Sequence, residues 1–250
     1  MAIDIGNTNI VVGVYDGETL IHSWRLATLA RRTSDELAIT LRELFRLGDF
    51  SAQLDDAIIA SVVPAAVASF VRALKTHFGL DPLVVGPGIK SGMKILYENP
   101  KEVGADRIVN GVAAYEKYRC GVIVVDFGTA ITFDCITPKG EYLGGLIAPG
   151  LNISADALYR HAAKLPRVEI AEPARVVGRD TVTSMQAGLY YGYVGLVDGI
   201  TERMKAELDF PVRGVATGGQ AAMIARISRT IEEIDEMLTL DGLRILHQRN

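Results

Sequence analysis

The sequence predicts an α/β protein of two similar tandem domains, residues 1–115 and 116–250, each a mixed sheet with elements in the order β-β-β-α-β-α. A short apolar segment runs into an Asp-x-Gly turn that begins at Asp4, and a second apolar strand follows it. The same arrangement returns 122 residues later, at Asp126. Each half continues with amphipathic helices between apolar runs, which favours sheets covered by helices. A repeat of this length indicates a duplicated unit.

The elements of the first half follow from turn signals and apolar patterns. Asp16-Gly17 is typical of a hairpin turn, and Ser34 begins a helix with leucines on one face. An apolar run that ends before Pro64 has the pattern of a buried strand. We expect strands at residues 1–3, 10–15, 19–26, 57–63 and 82–85, and helices at residues 34–48 and 65–78.

A long loop and a connecting helix lead into the second half. The loop, residues 86–104, is rich in Gly and Pro, and loops of this length in compact proteins are usually functional or disordered. A helix over residues 104–118 joins the halves. We then expect strands at residues 121–125, 131–136, 141–147 and 212–216, and helices at residues 152–164, 181–208, from 221 onward and at 240–246.

Composition narrows the classes of function. The net charge of −4 is spread along the chain, without the basic stripe of a nucleic-acid surface. No apolar run has the length of a membrane span, and no basic-then-apolar leader begins the chain. The two cysteines indicate no disulfide framework, and the four histidines lack metal-ligand spacing. We expect a cytoplasmic protein that binds neither nucleic acid nor membrane.

The turn at Asp4 has the composition of a phosphate-binding loop. Gly6 permits a positive φ and close approach to a ligand, and the successive N–H groups after it can form an anion nest. An ordinary hairpin turn has the same composition, so the turn alone leaves this alternative open. Thr217-Gly218-Gly219, between a strand and a helix, is a further candidate anion contact, although a tight strand–helix turn would look the same.

Four glycines recur on one face of the long second-half helix, at spacings of 4, 3 and 4. Each glycine costs roughly 1 kcal/mol in a helix, so the face needs a structural reason. Close packing within the fold or between subunits is the favoured reason. The glycines are Gly188, Gly192, Gly195 and Gly199.

An ordered set of short motifs covers nearly the whole chain. The motifs are Asp4-Ile5-Gly6-Asn7-Thr8-Asn9, Tyr97-x-x-Pro100, Gly104-Ala105-Asp106-Arg107, Asp126-Phe127-Gly128-Thr129-Ala130, Gly144-Gly145-x-Ile147-x-Pro149-Gly150, Thr181-x-x-x-x-Gln186-x-Gly188 and Thr217-Gly218-Gly219. Two Asp-x-Gly hairpins resemble the actin-like ATPase superfamily, which has ribonuclease H-like domains and an ATP cleft between them. The whole set resembles the type III pantothenate kinase family. Each motif alone is common, whereas the ordered set is highly specific.

The resemblance implies phosphorylation of the 4′-hydroxyl of pantothenate by ATP, the first step of coenzyme A biosynthesis. It implies that the first loop cradles the ATP phosphates, that Asp4 lies near the accompanying Mg²⁺, and that Asp126 binds a monovalent cation, K⁺ or NH₄⁺. Backbone loops and cations suit a reaction that depends on positioning and on neutralising charge. The implied ATP-binding residues are Asp4, Ile5, Gly6, Asn7, Thr8, Asn9, Ile10, Val11 and Thr129.

The resemblance also implies how the substrate is bound. Asp106 matches the catalytic base, although from the residues alone a helix-start aspartate that favours the dipole or pairs with Arg107 is the preferred interpretation. Arg107 suits bidentate binding of the pantothenate carboxylate. The family pocket is completed across a homodimer interface, which fits the glycine-rich helix face. The implied substrate-binding residues are Tyr97, Gly104, Ala105, Asp106, Arg107 and Thr181.

Two other functions fit parts of the sequence. Relatives of this family have been described as accessory factors for transcription, but Asp4, Asp106 and Asp126 are all present and no basic run is available for DNA contact. An actin-like ATPase or chaperone module would explain both loops and would leave the Tyr-x-x-Pro and Gly-Ala-Asp-Arg motifs without a role. In one departure from the family, only Met1 precedes Ala2, so we expect a short first strand and leave a start further upstream open.

Overall fold

The structure, a computed structural model of the chain, describes residues 1–29, 31–51 and 53–250. It confirms the predicted α/β class, because the chain forms two mixed sheets with helices between their strands. Two compact units contain one sheet each. Unit 1 comprises Met1–Met93, Glu98–Ala113 and Leu238–Asn250, and unit 2 comprises Lys94–Tyr97 and Ala114–Met237. Domains at residues 1–115 and 116–250 stay a prediction.

The elements follow the predicted order closely. The first half contains β1 (Ala2–Ile5), β2 (Asn9–Asp16), β3 (Thr19–Ala27), α1 (Ser34–Leu47), β4 (Ile58–Ser61), α2 (Pro64–Ala73), β5 (Leu83–Val84), β6 (Lys94–Ile95) and α3 (Ala105–Tyr118). The second half contains β7 (Gly121–Phe127), β8 (Ala130–Ile136), β9 (Glu141–Pro149), α4 (Leu151–His161), α5 (Thr181–Glu207), β10 (Val212–Thr217), α6 (Ala221–Ala225), β11 (Glu233–Ile234) and α7 (Leu238–Arg249). Among the described residues, no helix is both long and apolar enough to span a membrane.

The sheet of unit 1 has the strand order β3-β2-β1-β4-β5. β1 pairs antiparallel with β2 and parallel with β4, so both edges of this central strand are hydrogen-bonded. Its side chains Ile3 and Ile5 are fully buried, and apolar residues of α1 and α2 complete the same core. A capping box formed by Thr33 and Glu36 begins α1. Burial on both faces explains why β1 and β4 have almost entirely apolar sequences.

The sheet of unit 2 repeats that topology. Its order is β11-β10-β7-β8-β9-β6, so the strands other than β6 follow the order of unit 1. β7 is the central strand, antiparallel to β8 and parallel to β10. Its residues Ile123, Val125 and Phe127 are buried in a second core that includes side chains of α5 and α6. The repeated topology confirms that the chain has two tandem units of one architecture.

Short elements escaped the sequence prediction. β6 and β11 have two residues each, too few to show periodicity, and both form by parallel pairing with a longer strand. The predicted loop at residues 86–104 therefore contains a strand, and also a 3-10 turn at Pro100–Glu102. After α2, one π-helical turn at Leu74–Phe78 carries the helix to Gly79, which has a left-handed φ of 70°.

A buried carboxylate ties α5 to the loop that follows α6. Asp198 is 5% exposed, and its Oδ1 accepts hydrogen bonds from Ser228 Oγ at 2.6 Å, Arg229 N at 3.0 Å and Thr230 Oγ1 at 3.1 Å. Burial raises the pKa of this carboxyl, but the hydrogen bonds outweigh burial and hold the pKa below its ordinary value. The ionised carboxylate therefore stabilises unit 2.

We expect Asp198→Ala to lower the free energy of unfolding by about 3 kcal/mol, because three donors lose a charged acceptor. Since the folded-state pKa is lowered, this contribution is complete above the unfolded-state pKa and is lost as the pH falls through the folded-state pKa. Urea unfolding at neutral and acid pH measures both effects. The control Asp209→Ala, at an exposed position, should change the free energy by less than ~0.5 kcal/mol. Equal losses in both variants would contradict this role of Asp198.

Candidate active site

The first Asp-x-Gly loop, residues 4–9, joins β1 to β2. Gly6 N donates to Asn9 O at 3.0 Å, and the buried side chains of Ile5 and Ile10 anchor both ends of the loop in the core. Gly6 does not adopt the positive φ that glycine permits. Steric crowding favours glycine at this position, because an added Cβ would lie 3.1 Å from Asn9 O. Asp4 is half-buried at the end of β1.

Thr28 holds the side of the first loop that faces β3, and the sequence did not single it out. Thr28 Oγ1 donates to Gly6 O at 2.7 Å, and Thr28 N donates to Thr8 O at 2.9 Å. A lone threonine 19 residues after the loop carries no local signal. The register of β2 against β3, in which Asn9 lies opposite Ala27, brings it to the loop.

The second Asp-x-Gly loop joins β7 to β8 in the same way. Gly128 N donates to Ala130 O at 3.0 Å, and Asp126 and Thr129 are half-buried. Gly150, before α4, packs directly on this loop, since its N donates to Thr129 O at 3.1 Å. An added Cβ at Gly150 would clash with that oxygen. The predicted Pro-Gly motif therefore supports the second loop sterically.

The predicted Thr217-Gly218-Gly219 turn lies against the second loop. β10 pairs in parallel with β7, which puts Thr217 beside Asp126. Gly218 has a φ of 93°, and an added Cβ would lie 2.5 Å from Asp126 Oδ1 and 2.7 Å from Phe127 N. Glycine is needed for this backbone to come so close. The turn and the Asp126 carboxylate thus form one polar cluster within unit 2.

Asp106 lies in the first turn of α3, in unit 1. Its side chain is half-buried, and Arg107 N donates to its Oδ1 at 2.8 Å. Burial raises the pKa of Asp106, against the lowering effect of the Arg107 amide and charge. Arg107 itself is 6% exposed. A raised pKa makes this carboxylate a stronger proton acceptor than an exposed aspartate.

Tyr97, in unit 2, is held by β9. Leu96 N donates to Tyr142 O at 2.8 Å, which continues the pairing of β6 with β9. The Tyr97 ring meets the buried Tyr142 ring edge-on, with centroids 6.4 Å apart, and Tyr142 OH donates to Asp134 at 2.7 Å. The strand that sequence reasoning missed therefore positions a predicted substrate residue.

Thr181, also in unit 2, is the exposed first residue of α5 and lines an open groove of about 780 Å³. Asp180 caps the helix with its carboxylate, and Leu158, Met185 and Gly188 line other parts of the groove. A groove with apolar walls and polar groups at a helix start suits a small ligand with both kinds of surface.

The glycine face of α5 is open in the part of the chain that the structure describes. A Cβ added at Gly188, Gly192 or Gly195 would find no atom within 4 Å, and one at Gly199 would meet the Arg203 guanidinium. The described residues therefore pack no other helix closely on this face. Of the two explanations that the sequence favours, close packing by a helix of the same chain is not seen among these residues.

The predicted site residues fall in both units. Unit 1 holds the first loop and the Gly-Ala-Asp-Arg motif, and unit 2 holds Tyr97, Asp126, Thr129 and Thr181. Mg²⁺ bound with nucleotide phosphates takes one or two carboxylate ligands, and Asp4 has the chemistry for that role. Among the described residues, no group of three His, Cys, Asp or Glu side chains forms a metal site.

Comparison with solved structures identifies the fold. A ROK family glucokinase from Streptomyces griseus, solved with glucose and AMPPNP, superposes with a TM-score of 0.57 at 13% sequence identity. The match covers 99% of this chain and 98% of the glucokinase chain. The activator of the 2-hydroxyisocaproyl-CoA dehydratase from Clostridium difficile, with bound ADPNP, has a TM-score of 0.51 and 11% identity over 97% and 90%. The fold is that of the sugar kinases and actin-like ATPases.

Sequence comparison defines the family within this class. The type III pantothenate kinase family matches residues 1–203. Type III pantothenate kinases of Geobacter sulfurreducens and Myxococcus xanthus are 59% and 56% identical to this chain, over 100% of it and 98% of each relative. The chain belongs to the type III pantothenate kinase family, which confirms the resemblance that its motifs indicate.

Proposed function

We infer that this chain is a kinase that phosphorylates the 4′-hydroxyl of pantothenate with ATP, in the first step of coenzyme A biosynthesis. The family match over residues 1–203, with full-length relatives at 56–59% identity, carries this inference. The donor is ATP with a divalent metal ion, as is usual for phosphoryl transfer. The same match favours the enzyme over a transcription accessory factor or a chaperone module.

The first loop is proposed to bind the phosphates of ATP, and Thr129 to contact phosphate from the second loop. Each loop is closed by a 3.0 Å backbone hydrogen bond, which supports this role because a rigid turn presents its amides in fixed directions. Asp4 is proposed to lie near Mg²⁺, which when bound neutralises phosphate charge. The phosphate-binding residues are Asp4, Ile5, Gly6, Asn7, Thr8, Asn9, Ile10, Val11 and Thr129.

Asp106 is proposed as the general base. It takes the proton of the 4′-hydroxyl as that oxygen attacks the γ-phosphorus, and ADP leaves with the bridging oxygen. Two features support the assignment. The hydrogen bond from the Arg107 amide holds the carboxylate in place, and burial raises the pKa of the carboxyl. Arg107 pairs with the pantothenate carboxylate. Other substrate contacts are assigned to Tyr97, Gly104, Ala105 and Thr181.

Asp126 is proposed to bind a monovalent cation, K⁺ or NH₄⁺. The half-buried carboxylate, which the Gly218 backbone approaches closely, supports this, because hard cations prefer anionic oxygen ligands. The open glycine face of α5 supports a homodimer, in which a second copy covers Gly188, Gly192 and Gly195. We place the enzyme in the cytoplasm, where its substrates are used.

Purified protein with Mg-ATP should convert pantothenate to 4′-phosphopantothenate, with one ADP released per product, as coupled ADP assay and mass spectrometry measure. Turnover should rise with KCl or NH₄Cl when choline chloride holds the ionic strength constant. Asp126→Asn should lose this response. Absence of product in every salt would contradict the kinase assignment, whereas equal rates with and without the two cations would contradict the cation site alone.

Asp106→Asn should lower kcat by about 10²–10⁴-fold, because the hydroxyl nucleophile loses its proton acceptor. A base must be ionised, and burial raises the pKa of Asp106, so wild-type kcat/KM should fall on the acid side at a pH above the ordinary aspartate range. The pH profile checks this sign. Asp209→Asn, at an exposed position, is the control and should keep the wild-type profile. A near-normal rate for Asp106→Asn would remove Asp106 from this role.

Sedimentation equilibrium should give a mass of twice the 27.0 kDa of one chain. Gly192→Leu should favour the monomer, since its side chain has open space in one chain and would block a second copy. Ala65→Leu adds the same side chain at an exposed position of α2 and should leave the dimer intact. A wild-type monomer at micromolar concentration would contradict the shared interface.

A further inference from the structure

Thr28, the first residue after β3, makes two hydrogen bonds to carbonyls of one loop. Its Oγ1 donates to Gly6 O at 2.7 Å and its N donates to Thr8 O at 2.9 Å. Both acceptors belong to the first Asp-x-Gly loop, and the side-chain bond is partly buried. One residue therefore fixes the direction of two peptide planes in this loop.

The direction of a carbonyl fixes the direction of the next amide. In a planar trans peptide, the C=O of one residue and the N–H of the next point in opposite directions. Every described peptide bond of this chain is trans. Because the carbonyls of Gly6 and Thr8 point to Thr28, the N–H groups of Asn7 and Asn9 point away from it. Two amides with a common direction form the kind of concavity that binds anions.

The second loop provides an internal comparison. The second loop is one residue shorter, because Gly128 N donates to Ala130 O, two positions on, whereas Gly6 N donates to Asn9 O, three positions on. Gly150 takes the place of Thr28 there, and its N donates to Thr129 O at 3.1 Å. A Cβ at Gly150 would lie 2.6 Å from Gly128 O, so this position has no room for a hydroxyl side chain. The longer first loop has one additional peptide plane, and the hydrogen bond from the Thr28 hydroxyl to Gly6 O fixes the orientation of a peptide plane in this loop.

We propose that Thr28 is a positioning residue for the nucleotide triphosphate: it holds the Gly6 and Thr8 carbonyls and so directs the Asn7 and Asn9 amides to the phosphate oxygens. The proposal rests on the proposed kinase function, in which the first loop binds ATP. It assigns Thr28 no contact with substrate. Loss of the hydroxyl should therefore weaken nucleotide binding without a comparable effect on the affinity for pantothenate.

The test compares three full-length variants with the wild type by calorimetric titration of AMPPNP with Mg²⁺ and by steady-state kinetics. Thr28→Val removes the hydroxyl and should raise both the Kd of AMPPNP and the KM for ATP by about five-fold, the effect of one lost hydrogen bond. The KM for pantothenate should stay within about two-fold. Thr28→Ser restores the donor and should recover most of the affinity.

Thr40→Val is the matched control. Thr40 Oγ1 donates to Glu36 O at 2.8 Å on α1, so this variant also loses a hydroxyl-to-carbonyl bond in unit 1, away from the loop. It should bind AMPPNP like the wild type. Hydrogen–deuterium exchange of the peptide that covers residues 4–11 should rise in Thr28→Val and not in Thr40→Val.

The outcomes separate this proposal from the function on which it rests. Wild-type protein that binds no AMPPNP would overturn both. Wild-type binding with an unchanged Kd for Thr28→Val, or equal losses in Thr28→Val and Thr40→Val, would overturn the role of Thr28 alone. Equal rises in the KM values for ATP and pantothenate would also overturn it. If Thr28→Val does not fold, Thr28→Ala takes its place, since it removes the hydroxyl and keeps the backbone donor.

Discussion

The pairing of one central strand with an antiparallel neighbour on one side and a parallel neighbour on the other organises each unit. β1 and β4 end at the same edge of their sheet because they run in parallel, and Val62 N donates to Ile5 O at 3.1 Å just beyond that edge. β7 and β10 end together in the same way, at Asp126 and Thr217. Ligands of open α/β sheets bind at this carboxyl edge. The position of both Asp-x-Gly loops is therefore a consequence of strand pairing.

The sequence was most informative where a feature depends on adjacent residues. The strands around Asp4 and Asp126 were predicted because burial on both faces leaves a continuous apolar run, and the turns follow directly. β6 was missed because it forms only by pairing with β9, a strand distant in sequence. Thr28 was missed because its contacts with the first loop depend on the register of the β2–β3 hairpin and not on adjacent residues. The sequence also could not tell why position 6 is glycine, because a glycine that avoids crowding and a glycine with a positive φ look the same in a sequence.

The glycines of unit 2 show that the reason for a glycine can be read from its structural surroundings and not from the sequence. Gly150 and Gly218 are required by backbone atoms that leave no room for a Cβ, whereas Gly192 faces open space in a single chain. All three stand in motifs that the sequence analysis selected. For the first two, the constraint lies inside the unit and the structure explains it. For Gly192, helix propensity argues against glycine and nothing in the described chain requires it, so the homodimer proposed above is what would supply the constraint.

The two units share one strand topology and differ in the surroundings of the two aspartates to which functions are proposed. Asp4 and Asp126 occupy equivalent ends of β1 and β7, and each precedes a loop closed by a glycine amide. Beside Asp126, the Gly218 backbone comes close enough to exclude a Cβ, so the carboxylate has fixed backbone atoms around it. Asp4 instead precedes a longer loop with exposed residues at its tip. A compact surrounding fits the monovalent cation proposed at Asp126, and an open loop fits the proposal that the metal ion near Asp4 arrives and leaves with its nucleotide. The repeated topology thus holds two carboxylates at equivalent strand ends, and the neighbouring strand ends make their environments different.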